Sequence, residues 1–194
     1  MPQPSHVMAL KTPTEAELEE SLDEGMKKYF SVCKEKLGIL PNVLQSYASR
    51  PEKLKTFVSF YNELMLGESG LSKLEREMIA VVVSSTNHCF YCVAAHGQAV
   101  RQLSDDPELG EMLAINYRVA DLSERHSAML DFAYKMTKAP SEVGKADRQA
   151  LRDAGFSDDE IFDIADTAGF FNMSNRVATA VDMMPNPEYH GRNR

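Results

Sequence analysis

The chain lacks long apolar segments. Its longest apolar run, Met78 to Val83, is far too short to span a bilayer, and Met1 to Pro13 contains no apolar core of the length that a signal peptide needs. We therefore expect a soluble, cytoplasmic protein with no membrane partner.

Concentrated positive charge is also missing. Lysine and arginine number 21 against 29 aspartate and glutamate residues, which gives a formal net charge of −8, and no basic cluster is longer than the pair Lys27-Lys28. Nucleic acids and anionic membranes both attract proteins through concentrated positive charge. We expect neither of them as the main partner.

Cysteine is scarce, with three residues in 194, which is too few for a disulfide scaffold. Two of the three, Cys89 and Cys92, stand two residues apart. In a reducing compartment such a pair is more often catalytic or metal-binding than structural. Cys33 lies on the apolar side of an otherwise charged helical segment, and we interpret it as a buried, inert thiol.

No convincing strand pattern, low-complexity tract or linker interrupts the chain. A length of 194 residues with 43% hydrophobic content is enough to close one buried core. We predict a single all-α domain over residues 1–194, a multi-helix bundle with its redox core at about 51–138. The run Met78 to Val83 is rich in β-branched residues, but we interpret it as a buried helix because its flanks are helical.

Capping residues and apolar spacing mark the expected helices. Two capping boxes, Ser72 with Glu75 and Ser157 with Glu160, place two of the helix starts. The predicted helices cover 14–36, from 51 to the turn at 67–70, 72–85, 87–103, a short one from 106, 121–137, 145–154, and from 157 to about 184.

Four residues in and before the helix predicted over 87–103 form the candidate active site: Glu77, Cys89, Cys92 and His96. Thiols at i and i+3 on a helix have Cα atoms roughly 5 to 6 Å apart, within the range that a disulfide tolerates. His96 lies one turn after Cys92 on the same face, so Cys92 is the better candidate for activation by a base. Cys89 is expected in the first helical turn, where free amides and the helix dipole lower a thiol pKa.

A zinc site is an alternative, because His88, Cys89, Cys92 and His96 are all zinc-type ligands. On a continuous helix, residues 88 and 96 are separated by about 12 Å of rise, which is too far for both to bind one tetrahedral ion. Three of these ligands with a water or a more distant residue remain an alternative. We predict no metal and no other cofactor.

The spacing Glu77-x11-Cys89-x2-Cys92-x3-His96 resembles the signature of the alkylhydroperoxidase-D-like branch of the carboxymuconolactone decarboxylase superfamily. This resemblance implies an oligomeric all-α protein, and the better-known members reduce peroxides with the cysteine pair. Two further parts of the chain are similar to the "peroxidase-related" subgroup: residues 38–42, and the tail from 175–178 to 184–186.

Carried over residue by residue, the resemblance makes Cys92 the sulfur that attacks a hydroperoxide and Cys89 the resolving thiol. His96 would take the thiol proton, and Glu77 would hold and polarise the imidazole. An unknown thiol or dithiol reductant would reopen the disulfide. The chain departs from the best-known peroxidases at Tyr91, where they carry a histidine. A phenol with a pKa of about 10 can donate a hydrogen bond but cannot shuttle protons at neutral pH as an imidazole does.

The expected function is therefore a thiol-dependent, peroxidase-like oxidoreductase in which a Glu/His relay serves the cysteine pair. Two alternatives stay open. One is a decarboxylase or lactone-processing enzyme on the same scaffold, which would not need the cysteine pair. The other is a non-catalytic redox sensor or oligomeric scaffold. Eleven methionines and many apolar helix faces favour a homo-oligomer.

Overall fold

The computed structural model describes residues 3–194. These residues form eleven α-helices and no β-strand, which confirms the predicted all-α fold. None of these helices combines the length and the apolar character that crossing a membrane requires. The helices are α1 (Glu15–Ser21), α2 (Glu24–Leu37), α3 (Asn42–Tyr47), α4 (Pro51–Leu66), α5 (Lys73–Thr86), α6 (Phe90–Ser104), α7 (Pro107–Asn116), α8 (Glu124–Lys138), α9 (Lys145–Asp153), α10 (Asp158–Ala180) and α11 (Glu188–Gly191).

Helix α5 is the centre of the bundle and packs against α4, α6, α7, α8 and α10. It starts at the predicted capping box, in which Ser72 Oγ accepts from the Glu75 amide and Glu75 Oε2 accepts from the Ser72 amide. Residues Met78 to Val83 are at most 1% exposed. A helix that is covered on all sides can be apolar all round. The interpretation of this run as a buried helix is therefore confirmed.

Helix α10 lies against α5 and carries much of the remaining core. The predicted capping box of Ser157 and Glu160 forms its N-terminus. The helix ends at Ala180 rather than at about 184, because Asp182 adopts a left-handed conformation with φ 49° and the Met183 amide turns back to the Ala178 carbonyl. The short helix α11 follows and was not predicted from the sequence.

The N-terminal third differs most from the prediction. The helix expected over 14–36 is two helices, α1 and α2, because the Asp23 side chain accepts from the Met26 amide and caps a new helix. The preceding residue, Leu22, is extended. Helix α3 was also not predicted. Helices α2, α3 and α4 share a second, smaller apolar cluster that contains Phe30, Leu44 and Leu54.

Candidate active site

The two thiols of the pair lie at the junction between α5 and α6. Both are free, and both are buried, Cys89 with 1% and Cys92 with 2% exposure. Helix α6 begins at Phe90, so Cys89 is its N-cap residue and not part of its first turn. The expected helix start near Asn87 is therefore wrong by about one turn. The reason is that Ser84, Ser85 and Thr86 belong to α5 rather than to a polar break.

A tight C-terminal turn of α5 fixes the position of Cys89. His88 is left-handed, with φ 56°, its amide donates to the Ser85 carbonyl, and the Cys89 amide donates to the Ser84 carbonyl. These two bonds form the Schellman pattern that commonly ends a helix, usually with glycine at the left-handed residue. Histidine is one of the few other residues that adopts this conformation with some frequency. The turn brings the chain from α5 into α6 with Cys89 already inside the protein.

Polar side chains of α10 hold this turn in place. The Asn87 side-chain amide donates to the Oδ1 atoms of Asn172 (3.1 Å) and Asn175 (3.0 Å), and the Asn175 amide donates to Ser84 Oγ (2.9 Å). Asn175 and Ser84 are almost fully buried. Because buried amides without partners are costly, this satisfied network fixes α10 against the start of α6.

The two sulfurs carry opposite pKa shifts. Interaction with the Cys92 thiol is the main cause that lowers the pKa of Cys89 to about 6, and the Cys92 amide and the Thr179 hydroxyl add to it against the effect of burial. Interaction with Cys89, followed by burial, raises the pKa of Cys92 well above its ordinary value. These two directions favour the thiolate at Cys89 and the proton at Cys92. The direction predicted for Cys89 agrees, but its main cause is the neighbouring thiol.

His96 and Glu77 form a close pair. His96 Nδ1 lies 2.6 Å from Glu77 Oε2, and each side chain is 12% exposed. The Phe171 ring packs against the imidazole in a T-shaped arrangement, with ring centroids 4.6 Å apart. Among the described residues His96 has no other hydrogen-bond partner, so with Nδ1–H donated to the carboxylate, Nε2 remains an acceptor. Such a pairing fixes the tautomer and orientation of an imidazole that acts as a base.

A cavity of about 350 Å³ connects these groups. Cys92, His96 and Glu77 all line it, whereas Cys89 does not. Three of the four predicted site residues thus line one cavity. The fourth, Cys89, lies next to Cys92 but does not reach the cavity surface. Aromatic side chains form much of the remaining wall: Tyr29, Phe57, Tyr61, Tyr91, Phe170, Phe171 and Tyr189.

Cys33 also lines this cavity, from α2. It is half-buried rather than fully buried as predicted, because α2 closes one side of the cavity and presents the thiol to it. Burial raises the pKa of Cys33 above its ordinary value. The thiol therefore stays protonated at neutral pH, which agrees with the low reactivity that we expected.

Tyr91 lies between the two cysteines, and its hydroxyl interacts with residues of the cavity wall. Its oxygen accepts from the Val43 amide at 3.1 Å, and the hydroxyl of Tyr189 interacts with it. Burial is the main cause that raises the pKa of Tyr91 well above its ordinary value. The phenol thus ties α3 and α11 to the start of α6 and makes no hydrogen bond to the sulfurs, His96 or Glu77 among the described residues.

The contribution of α10 to the surroundings of the two sulfurs was not predicted from the sequence. Ser174 and Asn175 approach Cys92 and lower its pKa, and Thr179 does the same at Cys89. The available signal was a set of polar residues on the face of α10 that also carries Phe171 and Ala178, two residues buried in the core. Polar residues on a buried face need partners, and here the partners include the two thiols.

Comparison with known proteins identifies relatives of the chain. Residues 51–132 match the model of the carboxymuconolactone decarboxylase family. A comparison with curated proteins gives no match.

Solved structures extend the similarity to the whole chain. An uncharacterized peroxidase-related protein from Silicibacter sp. TM1040 is 60% identical, with a TM-score of 0.93 over 100% of both chains. A second peroxidase-related protein, described as an alkylhydroperoxidase AhpD core, from Ralstonia eutropha JMP134, is 39% identical, with a TM-score of 0.93 over 98% of both chains. The debrominase Bmp8 shares the fold, with a TM-score of 0.77 at 16% identity over 97% of this chain and 96% of that chain.

Proposed function

Because the chain belongs to the alkylhydroperoxidase-D-like, peroxidase-related part of the carboxymuconolactone decarboxylase family, we propose that it reduces organic hydroperoxides with the Cys89–Cys92 pair. The observation that carries the proposal is the shared cavity. Cys92 and the His96–Glu77 pair face one space, with the second thiol directly behind the first. These are the parts that peroxide reduction by thiols requires.

In the first step Cys92 attacks the outer oxygen of the peroxide. The Cys92 thiol passes its proton to Nε2 of His96, and the charge of Glu77 stabilises the resulting imidazolium. The S–O bond forms as the O–O bond breaks. The imidazolium then returns the proton to the leaving alkoxide, so that the products are an alcohol and the sulfenic acid of Cys92.

In the second step Cys89 resolves the sulfenic acid. Its lowered pKa of about 6 keeps it a thiolate at neutral pH, ready to attack the Cys92 sulfur. The S–S bond forms, hydroxide leaves, and a proton from solvent completes a water molecule. The disulfide then needs two electrons from a thiol or dithiol reductant to close the cycle. The identity of this reductant and the homo-oligomeric state stay predictions.

Two single substitutions test this division of labour. Cys92→Ser is expected to abolish turnover of an organic hydroperoxide, because it removes the only sulfur of the pair that lines the cavity. Cys89→Ser is expected to leave one round of reduction and to trap Cys92 as a sulfenic acid or as a mixed disulfide. Mass spectrometry after one equivalent of cumene hydroperoxide distinguishes these products. Cys33→Ser is the matched control, since it removes the third thiol of the cavity and should leave turnover intact.

The outcomes separate the proposal from its alternatives. Full activity in both Cys89→Ser and Cys92→Ser would refute it. Turnover of a lactone substrate by the double Cys→Ser variant would favour a decarboxylase or lactone-processing enzyme. A native mass that changes with reductant, in the absence of peroxide turnover, would favour a redox sensor or scaffold.

A further inference from the structure

The rim of the cavity at Cys92 differs in character from its interior. Three leucines that line the cavity are exposed, Leu37 by 45%, Leu66 by 58% and Leu103 by 46%. They come from three different helices, α2, α4 and α6. Exposed apolar side chains grouped around an opening commonly mark the site where an apolar ligand enters. The rim therefore favours an organic substrate over small, fully hydrated peroxide.

A positive charge lies at the same rim. Lys73 is exposed and lines the cavity, where Glu77 is the only other fully charged side chain among the described lining residues. Glu77 is engaged with His96 inside. Lys73 is the first residue of α5, a position where the helix dipole favours anions rather than cations. The local chemistry of the helix thus gives no reason for a lysine there.

Lys73 also lacks an ion-pair partner in the part of the chain that the structure describes. The lysines at positions 27, 55 and 135 each form an ion pair with a carboxylate, whereas Lys73 has none within residues 3–194. Its ammonium is therefore available to an anion in the cavity mouth.

A second hydrogen-bond donor points to the same kind of ligand. Gln102 is exposed and lines the cavity, and its Oε1 accepts from the Gln98 side-chain amide at 3.1 Å. This bond uses the acceptor of Gln102 and leaves its NH₂ group as a donor. One ammonium and one amide donor at an apolar opening suit the two oxygens of a single carboxylate.

We propose that the substrate is an amphipathic organic acid: a hydroperoxide with an apolar body and a carboxylate. The apolar body occupies the aromatic interior, where its peroxide meets Cys92, and the carboxylate pairs with Lys73 at the rim. That the substrate is a peroxide rests on the proposed function, whereas its carboxylate is inferred from Lys73 and Gln102 at the rim. Lys73 is thus a binding residue that determines substrate specificity and takes no part in proton transfer.

Kinetics with a matched set of substrates tests the proposal. The set is the 4-carboxy derivative of cumene hydroperoxide and the methyl ester of that derivative, which is neutral and of similar size. Lys73→Gln is expected to raise KM for the acid about fivefold, the effect of one solvent-accessible ion pair, and to leave both kcat values and the KM for the ester unchanged. Lys73→Arg should retain the preference for the acid. Added salt should raise KM for the acid alone.

Lys145→Gln is the matched control. Lys145 is likewise exposed, lies at the first position of a helix, α9, and is not among the residues that line the cavity. It should leave both substrates unaffected. Equal changes for acid and ester in Lys73→Gln, or a wild-type preference for the ester, would overturn the proposal.

Binding measurements keep this result separate from the peroxidase chemistry. Calorimetry with 4-isopropylbenzoate and its methyl ester, neither of which can be reduced, should show tighter binding of the acid and a loss of that preference in Lys73→Gln. If neither hydroperoxide is turned over but this difference is found, the proposed function fails while the ligand class stands. If the acid binds no better than the ester, the ligand class fails whatever the turnover.

Discussion

Glu75 and Glu77 stand two residues apart on α5, both largely buried, and their surroundings differ completely. Glu75 accepts from the Ser72 amide at 2.7 Å with one oxygen and from Arg125 Nε at 2.9 Å with the other. Burial opposes ionisation, but these two partners outweigh it and lower the pKa of Glu75. Within residues 3–194, Glu77 has one hydrogen-bond partner, His96, whose second ring nitrogen has no partner there.

The comparison shows how a carboxylate that stabilises the fold can be distinguished from one that is a candidate active-site residue. Both oxygens of Glu75 have protein donors, and Arg125 continues the network to Glu160 at 2.7 Å and stacks on Phe156. Such a group braces α5, α8 and α10, and each of its oxygens is already engaged by a protein donor. Glu77 orients an imidazole that still has a vacant acceptor. A hydrogen-bonding group that still lacks a partner among the residues that the structure describes, here Nε2 of His96, is what marks the candidate site.

Between the two glutamates, the larger expected effect on activity comes from removing the charge at Glu77. Glu77→Gln keeps the shape and a hydrogen-bond acceptor for His96 but removes the charge that stabilises the imidazolium. We expect kcat/KM for an organic hydroperoxide to fall about a hundredfold, the usual scale of general acid–base catalysis. The urea midpoint should change little. Steady-state kinetics and urea unfolding followed by circular dichroism measure the two quantities.

The same substitution at Glu75 should reduce stability and leave activity nearly unchanged. Glu75→Gln leaves Arg125 without one of its two carboxylates in a largely buried network, and we expect a loss of about 2 kcal/mol in the free energy of unfolding. Activity of the folded protein should remain within twofold of wild type. The comparison breaks down if both variants lose activity equally, because Glu75 would then contribute to the relay as well.

Titration of the thiols extends the comparison to the two sulfurs. Because the pKa of Cys89 is lowered to about 6 and that of Cys92 is raised, thiolate absorbance at 240 nm should increase by one thiolate as the pH rises through about 6. Cys89→Ser should remove this step. In Cys92→Ser the step should move to higher pH, since the Cys92 thiol is the main cause of the lowering. A single step near the ordinary thiol pKa of about 8.5 would contradict the assignment.

The stability of the reduced protein should follow the same titration. In the unfolded chain both thiols keep their protons up to a pH of about 8.5, whereas the folded pair has released one above about 6. Between about pH 6 and 8.5 the unfolded state therefore binds more protons than the folded state, so the free energy of unfolding rises with pH in this window. This contribution to stability is complete above about pH 8.5 and is lost once the pH has fallen through about 6. The Cys89→Ser variant should lack this rise in urea unfolding between those limits.

The smallest effect is expected at Tyr91. Tyr91→Phe removes the acceptor for the Val43 amide, and we expect a loss of about 1 kcal/mol in stability with turnover within twofold of wild type. A loss of activity as large as that of Glu77→Gln would instead place the phenol in the proton relay. Thermal unfolding and kinetics on the same preparation distinguish these outcomes.

Local sequence signals predicted the elements that depend on local chemistry. The capping boxes at Ser72 and Ser157 and the buried run of α5 lie where the sequence analysis expected them. Each of these features depends on residues a few positions apart, whose interactions can be inferred without the rest of the fold.

The missed features depend on contacts between distant segments. The tail after Ala180 lies against Val7 and Ala9, with hydrogen bonds that join residues more than 170 positions apart. Asn175 and Thr179 meet the sulfurs only because α10 packs beside the start of α6. His88 occupies a left-handed residue position for which glycine is the usual signal. The periodicity of residues within one helix does not reveal which distant segments will contact it.

In the proposed reaction, the placement of Cys89 behind Cys92 would restrict the order in which the two substrates react. Both sulfurs are buried, and only one of them meets the cavity, so oxidant and electron donor would use one entrance and one sulfur in turn. Neither can react while the other occupies that entrance. Plots of reciprocal rate against reciprocal peroxide concentration should therefore give parallel lines at different donor concentrations, with donor inhibition once the donor is in large excess.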